Sequence, residues 1–470
     1  MSRRLRALTT AGASAAVLAV LVPGVALGHQ LSGAYQSRLP LAVYLAGAAA
    51  TVALSFIFVL VRDVRADRPT MDQPTHLPPA VIRYGLQALG LIAWLWIVAQ
   101  GIAGGESNAD VGRLFLWVYG WVGVAMASFL IGPVWHFLDP FSTLHDLGAA
   151  ILRRLGVQGW DVADYPERLG KWPAIVGFLV VVWLELVLTP APATMFVIVV
   201  GYTALTLAMM AQFGRDAWRS HAEVFTVWFR LLGRLAPYAL ADEDGRVRRR
   251  PFASGLLEGG WATSDVVLIA FGVGSILFDG LSQTQPWFDL FGVPGLPGKT
   301  LLMIGFLGII ALAALGVTRV VGRDATAAGL LPIAAGYLIA HYLTYLLIDG
   351  QNIVVAISDP FQQGWDLFGT AFYQPTGSFL PPGLVWTLQL AAVVGGHMLG
   401  AWAGHVVATM DAPKGLSTAS MRTRQLPLAV VMVALTTLTL WSLGQAIVVT
   451  APSASAPVAP VQAIATNARG

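Results

Sequence analysis

The chain has 470 residues, of which 56% are hydrophobic and only 11% are charged, and its mean hydropathy is +0.69. A soluble domain carries roughly a quarter charged residues, so this composition excludes an ordinary soluble protein and indicates an integral membrane protein. The chain has no cysteine, which excludes disulfides, thiolate metal sites and cysteine nucleophiles.

The N-terminal segment 1–28 has the three parts of a secretory signal peptide. Three arginines within residues 3–6 precede an apolar run over 11–22, and the small residues at 26–28 fit a cleavage site. An uncleaved first helix is the alternative interpretation. Cleavage after residue 28 would make His29 the mature N-terminus, where amine and imidazole together can chelate copper; an ordinary polar residue is the other interpretation.

Apolar runs of about 20 residues recur along the rest of the chain, each long enough to cross a hydrocarbon core of about 30 Å. Backbone groups within lipid must pair internally, so these spans should be helices. We therefore predict an all-α fold, a polytopic transmembrane bundle of about ten helices in a single domain over 29–450, followed by a disordered external tail over 451–470. The predicted spans are 39–61, 84–103, 113–133, 173–190, 193–213, 262–280, 299–318, 328–349, 383–408 and 426–450.

The distribution of basic residues predicts the orientation of this bundle. With the signal cleavage site outside, the cytoplasmic segments hold 21 Lys and Arg residues and the outer segments hold four. Topology therefore explains the pI of about 9.2, and a nucleic-acid partner is not expected. The sequence predicts a multi-pass protein of the plasma (inner) membrane, with the lipid bilayer as a partner and both mature ends outside.

Two cytoplasmic stretches, 135–155 and 216–235, mix aromatic residues with arginine at helical spacing. We expect interfacial helices there, lying along the inner leaflet with arginines reaching the head groups.

Ionisable side chains within hydrocarbon are costly, so each one inside a predicted span is a functional-site hypothesis. Four polar residues fall in one depth band near the outer ends of their helices: Glu185, Asp279, His341 and Gln389. A carboxylate and an imidazole at one depth can pair or bind a divalent ion, zinc or copper. The candidate catalytic residues are Glu185, Asp279 and His341, and the candidate metal ligands are His29, His341, His397 and Asp279. The alternatives are hydrogen bonds that stabilise the bundle, or a proton or solute path.

The 350–382 loop lacks Lys and Arg and is too long for a simple connection. Residues 358–369 are expected to form a short re-entrant helix capped by Ser358 or Asp359. Such a lid would close over the outer pocket and offer an aromatic wall to a hydrophobic small-molecule substrate. The predicted pocket and lid residues are Asp359, Trp365, Asp366, Gln351 and Gln389.

Several strings in the chain resemble a bacterial family of polytopic membrane proteins known as fenitrothion hydrolases. The matching strings are YPERLGKWPA at 165–174, WLELV at 183–187, FDGLS at 278–282, AHYLTYLLIDGQ at 340–351, SDPFQQGWDLFGTA at 358–371 and GHMLGAWAGH at 396–405. The chain departs from the family pattern within 135–155, where it has LDPF in place of a polar Asn-Pro-Trp turn.

The resemblance implies attack of water on an aryl phosphorothioate triester, which releases a nitrophenol and a dialkyl thiophosphate. Such hydrolysis needs an activated water and a group that neutralises charge on the phosphorus oxygens, and a divalent metal supplies both. Soluble phosphotriesterases use several close histidines, and this sequence has no such dense cluster. The expected function is a membrane hydrolase of hydrophobic organophosphate triesters. The alternatives are a transporter or metal-handling protein, or an accessory subunit of a membrane complex without catalysis.

Overall fold

The computed structural model describes residues 74–105, 109–156, 163–412 and 417–443, together with positions 50 and 54. The described part is an all-α bundle with one very small sheet, which confirms the predicted fold class. Some predictions lie outside the described residues: the signal peptide, His29, nearly all of the span 39–61, and the external tail.

Most of the described chain is helical, and the bounds of the helices follow the apolar runs of the sequence. In chain order they are α1 Ala80–Ala103, α2 Val111–Leu130, α3 Val134–Leu138, α4 Pro140–Arg154, α5 Trp172–Leu188, α6 Pro192–Phe213, α7 Arg215–His221, α8 Val224–Leu232, α9 Thr263–Ser282, α10 Gln285–Phe291, α11 Leu296–Val321, α12 Arg323–Asp349, α13 Ile353–Ser358, α14 Pro382–Met410 and α15 Thr418–Leu443. Within the described residues, eight helices are long and apolar enough to cross a membrane, namely α1, α2, α6, α9, α11, α12 (with α13), α14 and α15, and α5 is a shorter apolar helix. Each predicted span from 84–103 onward overlaps one of these nine.

The two ends of the bundle differ in character. One end carries a three-stranded antiparallel sheet of order β1-β3-β2, formed by β1 Thr75–His76, β2 Tyr238–Leu240 and β3 Val247–Arg249. This sheet adjoins the start of α1, and we refer to it as the sheet end. The opposite end holds the 359–381 loop, because Trp96 and Gln100 in the last two turns of α1 donate to the Pro360 carbonyl. We refer to it as the loop end.

Helices α12 and α14 pack along a glycine seam. A Cβ atom added to Gly400 would lie 2.3 Å from the Gly329 carbonyl oxygen, and one added to Gly336 would lie 2.4 Å from the Ala392 carbonyl oxygen. Only glycine permits backbones to approach this closely, as in small-residue contacts between membrane helices. The seam fixes α12, which carries His341, against its neighbour.

The structure agrees with the prediction of an interfacial helix for one of the two stretches and not for the other. Helix α4 exposes Leu147 and Ile151 beside its terminal arginines, as an interfacial helix does. The prediction is wrong for α8, since eight of its nine side chains are buried within the bundle. Arg219 on α7 is also buried, and its Nε lies 3.2 Å from Asp139 Oδ2 rather than reaching lipid head groups.

The prediction of a re-entrant helix at 358–369 is also wrong. Helix α13 ends at Ser358, and the 359–381 loop that follows is built of turns. The Asp359 side chain does not begin a helix but accepts hydrogen bonds from the backbone N–H groups of Gln363 and Gly364. An aspartate that holds its own following residues in this way favours a turn over a helix.

Candidate functional site

The structure brings Asp279 and His341 together between two spanning helices near the loop end. Asp279 lies in the last turn of α9, and its Oδ2 is 2.8 Å from Nε2 of His341 on α12. The hydroxyl of Tyr342 donates to the same oxygen at 3.1 Å, and Gln283 Nε2 donates to Oδ1 at 2.7 Å. We refer to Asp279 and His341 as the Asp–His pair.

The contact with Asp279 fixes the orientation of the His341 ring. A carboxylate only accepts hydrogen bonds, so Nε2 carries a proton and donates, and in the neutral imidazole Nδ1 is then the nitrogen with a lone pair. A methyl group added to Gly280 would lie 3.8 Å from Nδ1 and 3.5 Å from Ser442 Oγ. Nδ1 therefore lies on the side of the ring near Gly280 of α9 and Ser442 of α15.

A small cavity adjoins this side of His341. Its polar lining consists of the His341 ring and the side chains of Tyr337, Thr439 and Ser442, and the rest of its wall is aliphatic. Several hydroxyl groups around one small space are the lining that a buried water requires. The cavity is thus suited to hold a water beside Nδ1 of His341.

Glu185 approaches the pair from a third helix through an irregular turn. It lies in the π-helical segment Leu184–Leu188, which ends at Thr189 in a left-handed conformation with φ of +42°. The Glu185 carboxyl is next to the Tyr342 hydroxyl and the Trp121 indole, within electrostatic reach of the pair. Tyr342 therefore stands between two carboxyl groups. π-Helical turns often occur at functional sites.

The other predicted polar residues of the spans have partners of their own. Gln389 donates to the Ala340 carbonyl oxygen at 2.7 Å, which ties α14 to α12 next to His341. His397 is fully buried, and its ring nitrogens lie 2.9 Å and 3.1 Å from the carbonyl oxygens of Val393 and Met432. It is not brought to the Asp–His pair.

The Asp–His pair by itself does not complete a zinc or copper site. Among the described residues there is no group of three His, Cys, Asp or Glu side chains that could hold a metal ion. Zinc sites in proteins use three or four protein ligands, whereas the pair supplies two, already joined by a hydrogen bond. His397, a predicted third ligand, is engaged elsewhere, and His29 is outside the described residues.

The predicted lid residues build the framework of the 359–381 loop. Asp359 and Ser358 are buried, and Ser358 Oγ donates to Asp366 Oδ1 at 3.0 Å. Gln351 accepts from the Tyr373 hydroxyl at 2.6 Å and donates to the Thr376 carbonyl. These side chains stabilise the loop, while the Trp365 side chain is exposed.

Sequence reasoning missed Tyr342, Trp121 and the cavity hydroxyls of α15. Tyr342 follows His341 directly in the string HYLTY. This string therefore contained a signal for a hydroxyl group beside the His–carboxylate contact. The contact of Trp121 with Glu185 and the position of Ser442 beside His341 depend on how the helices pack. The sequence carries no signal for either.

A second buried charged cluster lies at the sheet end, where the sequence suggested only interfacial residues. Asp139 and Glu223 are buried and accept hydrogen bonds from the first backbone N–H groups of α4 and α8. Arg219 pairs with Asp139, and Tyr202 donates to Glu223 at 2.6 Å. Burial, together with the Asp139 charge, raises the pKa of Glu223. The cluster caps two helices and joins them, which is a structural role.

A comparison of the chain with known protein families, with curated proteins and with solved structures finds no match. The interpretation of the site therefore depends on its own geometry and on the sequence strings described above.

Proposed function

We propose that this protein is a membrane hydrolase in which His341, oriented by Asp279, activates water for attack on a hydrophobic ester. The observation that carries this proposal is the 2.8 Å contact between His341 Nε2 and Asp279 Oδ2, beside a small cavity that His341, Tyr337, Thr439 and Ser442 line. A carboxylate that holds an imidazole in one tautomer is the arrangement that general-base catalysis uses. The substrate class, aryl phosphotriesters, comes from the resemblance of the sequence.

In this chemistry His341 supplies the proton acceptor. The water in the cavity transfers a proton to Nδ1 as its oxygen forms a bond to phosphorus, and the bond to the aryl oxygen breaks with its electron pair. Asp279 stabilises the imidazolium that forms, and the proton then passes to the aryl oxide or to solvent. General-base assistance of this kind is worth about 10²- to 10⁴-fold in rate.

The ester would approach from the bilayer rather than through the cavity. The cavity is small, but the side chains of His341 and Asp279 keep 23% and 14% of their surface exposed in the described bundle. An apolar triester concentrates in lipid, so lateral access to a pair inside a spanning helix suits this substrate class.

A second candidate function is proton-coupled transport, because polar groups continue from the pair toward the sheet end. Tyr337 lies one turn before His341 on α12, and its ring centroid is 5.7 Å from that of His397. Nearer the sheet end, His405 Nδ1 lies 2.7 Å from Gln425 Oε1. A row of ionisable and polar groups within spanning helices is typical of a proton relay.

The first test is nitrophenol release from a nitrophenyl phosphorothioate triester by the purified protein in liposomes. We expect release by the wild type and a loss of about 100-fold or more in His341→Gln, because the base is removed. His76→Gln is the matched control, since His76 is exposed in β1 at the sheet end, and it should keep the full rate.

A second pair of variants tests the space beside Nδ1. Gly280→Ala should slow hydrolysis and leave the melting temperature near that of the wild type, because the added methyl group meets its neighbours at ordinary van der Waals distances. Gly305→Ala adds the same group on α11 where no atom lies within 4 Å, and should have no effect.

Two outcomes would overturn the hydrolase proposal: no nitrophenol release by the wild type, or equal release by the wild type and His341→Gln. Proton movement across the same liposomes without release, present in the wild type and absent in His341→Gln, would support the second candidate function instead.

A further inference from the structure

The 359–381 loop presents several large apolar side chains that the described part of the bundle leaves exposed. Phe372 is 85% exposed, Phe368 is 68% exposed and Trp365 is 44% exposed. Leu367 and Phe379 are exposed as well. We refer to these five side chains as the aromatic face of the loop.

Hydrogen bonds hold the loop in one shape, so the exposure is not that of a loose segment. Asp359 accepts from the N–H groups of Gln363 and Gly364 at 2.8 Å and 2.9 Å. Ser358 Oγ accepts from the Phe368 N–H at 3.1 Å, and Thr370 Oγ1 donates to the Val354 carbonyl at 2.9 Å. Hydrogen bonds therefore hold the backbone from which these rings project, and Trp365 also packs against Phe361.

The carboxylates of the loop accept hydrogen bonds from its own backbone. Its only ionisable acids are Asp359, which is buried, and Asp366, which is exposed. The backbone N–H of Ala371, at 2.9 Å, lowers the pKa of Asp366, with a further contribution from the Ser358 hydroxyl. The loop has no Lys or Arg, so the aromatic face has no basic partner for an acidic surface.

The aromatic face continues the apolar surface of the helices that the loop connects. Val354 and Ile357 on α13 are exposed just before it, and Leu384 and Leu388 on α14 are exposed just after it. The span formed by α12 with α13 and the helix α14 have the length and composition to cross a membrane, so we expect these exposed apolar side chains to face lipid. The loop therefore lies at the height where spanning helices leave the hydrocarbon, the level at which aromatic side chains concentrate in membrane proteins.

We propose that the aromatic face of the 359–381 loop is inserted into the lipid leaflet at the loop end, with Phe368, Phe372 and Trp365 at the boundary of head groups and acyl chains. The occupant of this face is lipid, because the helices that flank the loop have the length and composition to cross a membrane and expose apolar side chains next to it. The proposal is independent of hydrolysis, since it concerns residues outside the Asp–His pair.

The chain has no native cysteine, so a single introduced thiol can report the depth of the loop. Phe372→Cys is labelled with an environment-sensitive nitrobenzoxadiazole dye and placed in phosphatidylcholine liposomes, with and without nitroxide-labelled lipid. We expect blue-shifted emission that nitroxide lipid quenches strongly and aqueous iodide quenches weakly. Asp244→Cys, at an exposed turn near the sheet end, is the control and should show the opposite pattern.

Leu367→Cys is a second position on the same face in case the substitution at 372 disturbs the loop, and it should behave in the same way. Labels at both positions that iodide quenches as strongly as at Asp244→Cys would overturn the proposal. Blue-shifted emission without quenching by nitroxide lipid would also overturn it, since a protein surface would then cover the face.

Discussion

His341, His397 and His405 lie on spanning helices, yet their surroundings give them different chemistry. His341 contacts the Asp279 carboxylate, His397 lies between two backbone carbonyl oxygens, and His405 contacts the Gln425 amide. The carboxylate beside His341 can stabilise a positive charge formed on the ring during a reaction. The sequence placed all three imidazoles inside spans but did not contain the identity of the partner, which belongs to the neighbouring helix.

At the same scale, His136 on α3 predicts how stability depends on pH. Burial, and then the charges of Arg219, Arg230 and Arg215, lower the pKa of His136 to about 3. The unfolded chain binds a proton at this residue below about pH 6.5, whereas the folded chain does so only near pH 3. The unfolded state thus binds more protons across this window, and stability falls as the pH is lowered through it.

His136→Gln removes this titration. The melting temperature of the variant in detergent should therefore fall less between pH 7.5 and pH 5 than that of the wild type. The control His76→Gln, at an exposed position, should keep the wild-type loss. An acid-induced loss in His136→Gln as large as that of the wild type would contradict the assignment.

At the scale of elements, the sequence predicted helix positions well because an apolar run of fixed length is all that a span requires. The fixed rise of a helix also placed Asp279 and His341 at one depth. The helical rise does not give the rotation of each helix about its axis. The contact of Glu185 with Tyr342 could therefore not be predicted from the sequence. For the same reason an amphipathic pattern did not reveal that α8 faces protein on all sides and not lipid.

The loop shows a different limit of sequence reasoning. Ser358 and Asp359 are good helix caps by residue type, and they were expected to begin a helix. In the structure both side chains bind groups of the loop that follows. Residue type alone does not separate a cap from a turn, because both use the same hydrogen bond between a side chain and a backbone N–H.

The glycine seam between α12 and α14 gives a prediction for this scale. Gly400→Ala would place a methyl group 2.3 Å from the Gly329 carbonyl oxygen, so the helices must separate, at a cost of about 1–3 kcal/mol. Gly395→Ala, on the same helix with no atom within 4 Å, is the control and should be neutral or stabilising. Thermal unfolding in detergent measures both, and equal melting temperatures for the two variants would show that the seam is not tightly packed.

At the scale of the whole molecule, the two ends of the bundle differ in their ion pairs and in their candidate functional residues. The sheet end contains ion pairs such as Lys171 with Asp265 and Arg250 with Glu258, whereas the Asp–His pair and the aromatic face lie toward the loop end. The excess of basic residues predicts that the sheet end is cytoplasmic and that the loop end faces outside.

Single cysteines test this orientation in intact cells. Ser378→Cys at the loop end should react with a membrane-impermeant maleimide before permeabilisation, and Asp244→Cys at the sheet end only afterwards, since both positions are exposed. The reverse order of labelling would contradict the orientation and would place the Asp–His pair toward the cytoplasm.

The central claim is that Asp279 fixes His341 in the tautomer that leaves Nδ1 free to accept a proton. The most direct test is the ¹⁵N NMR spectrum of histidine-labelled protein in lipid nanodiscs at mildly basic pH, with the His341 signals assigned by their absence in His341→Gln. We predict a protonated Nε2 and an unprotonated Nδ1 in the wild type. A protonated Nδ1, or an equal mixture of the two tautomers, would contradict the account.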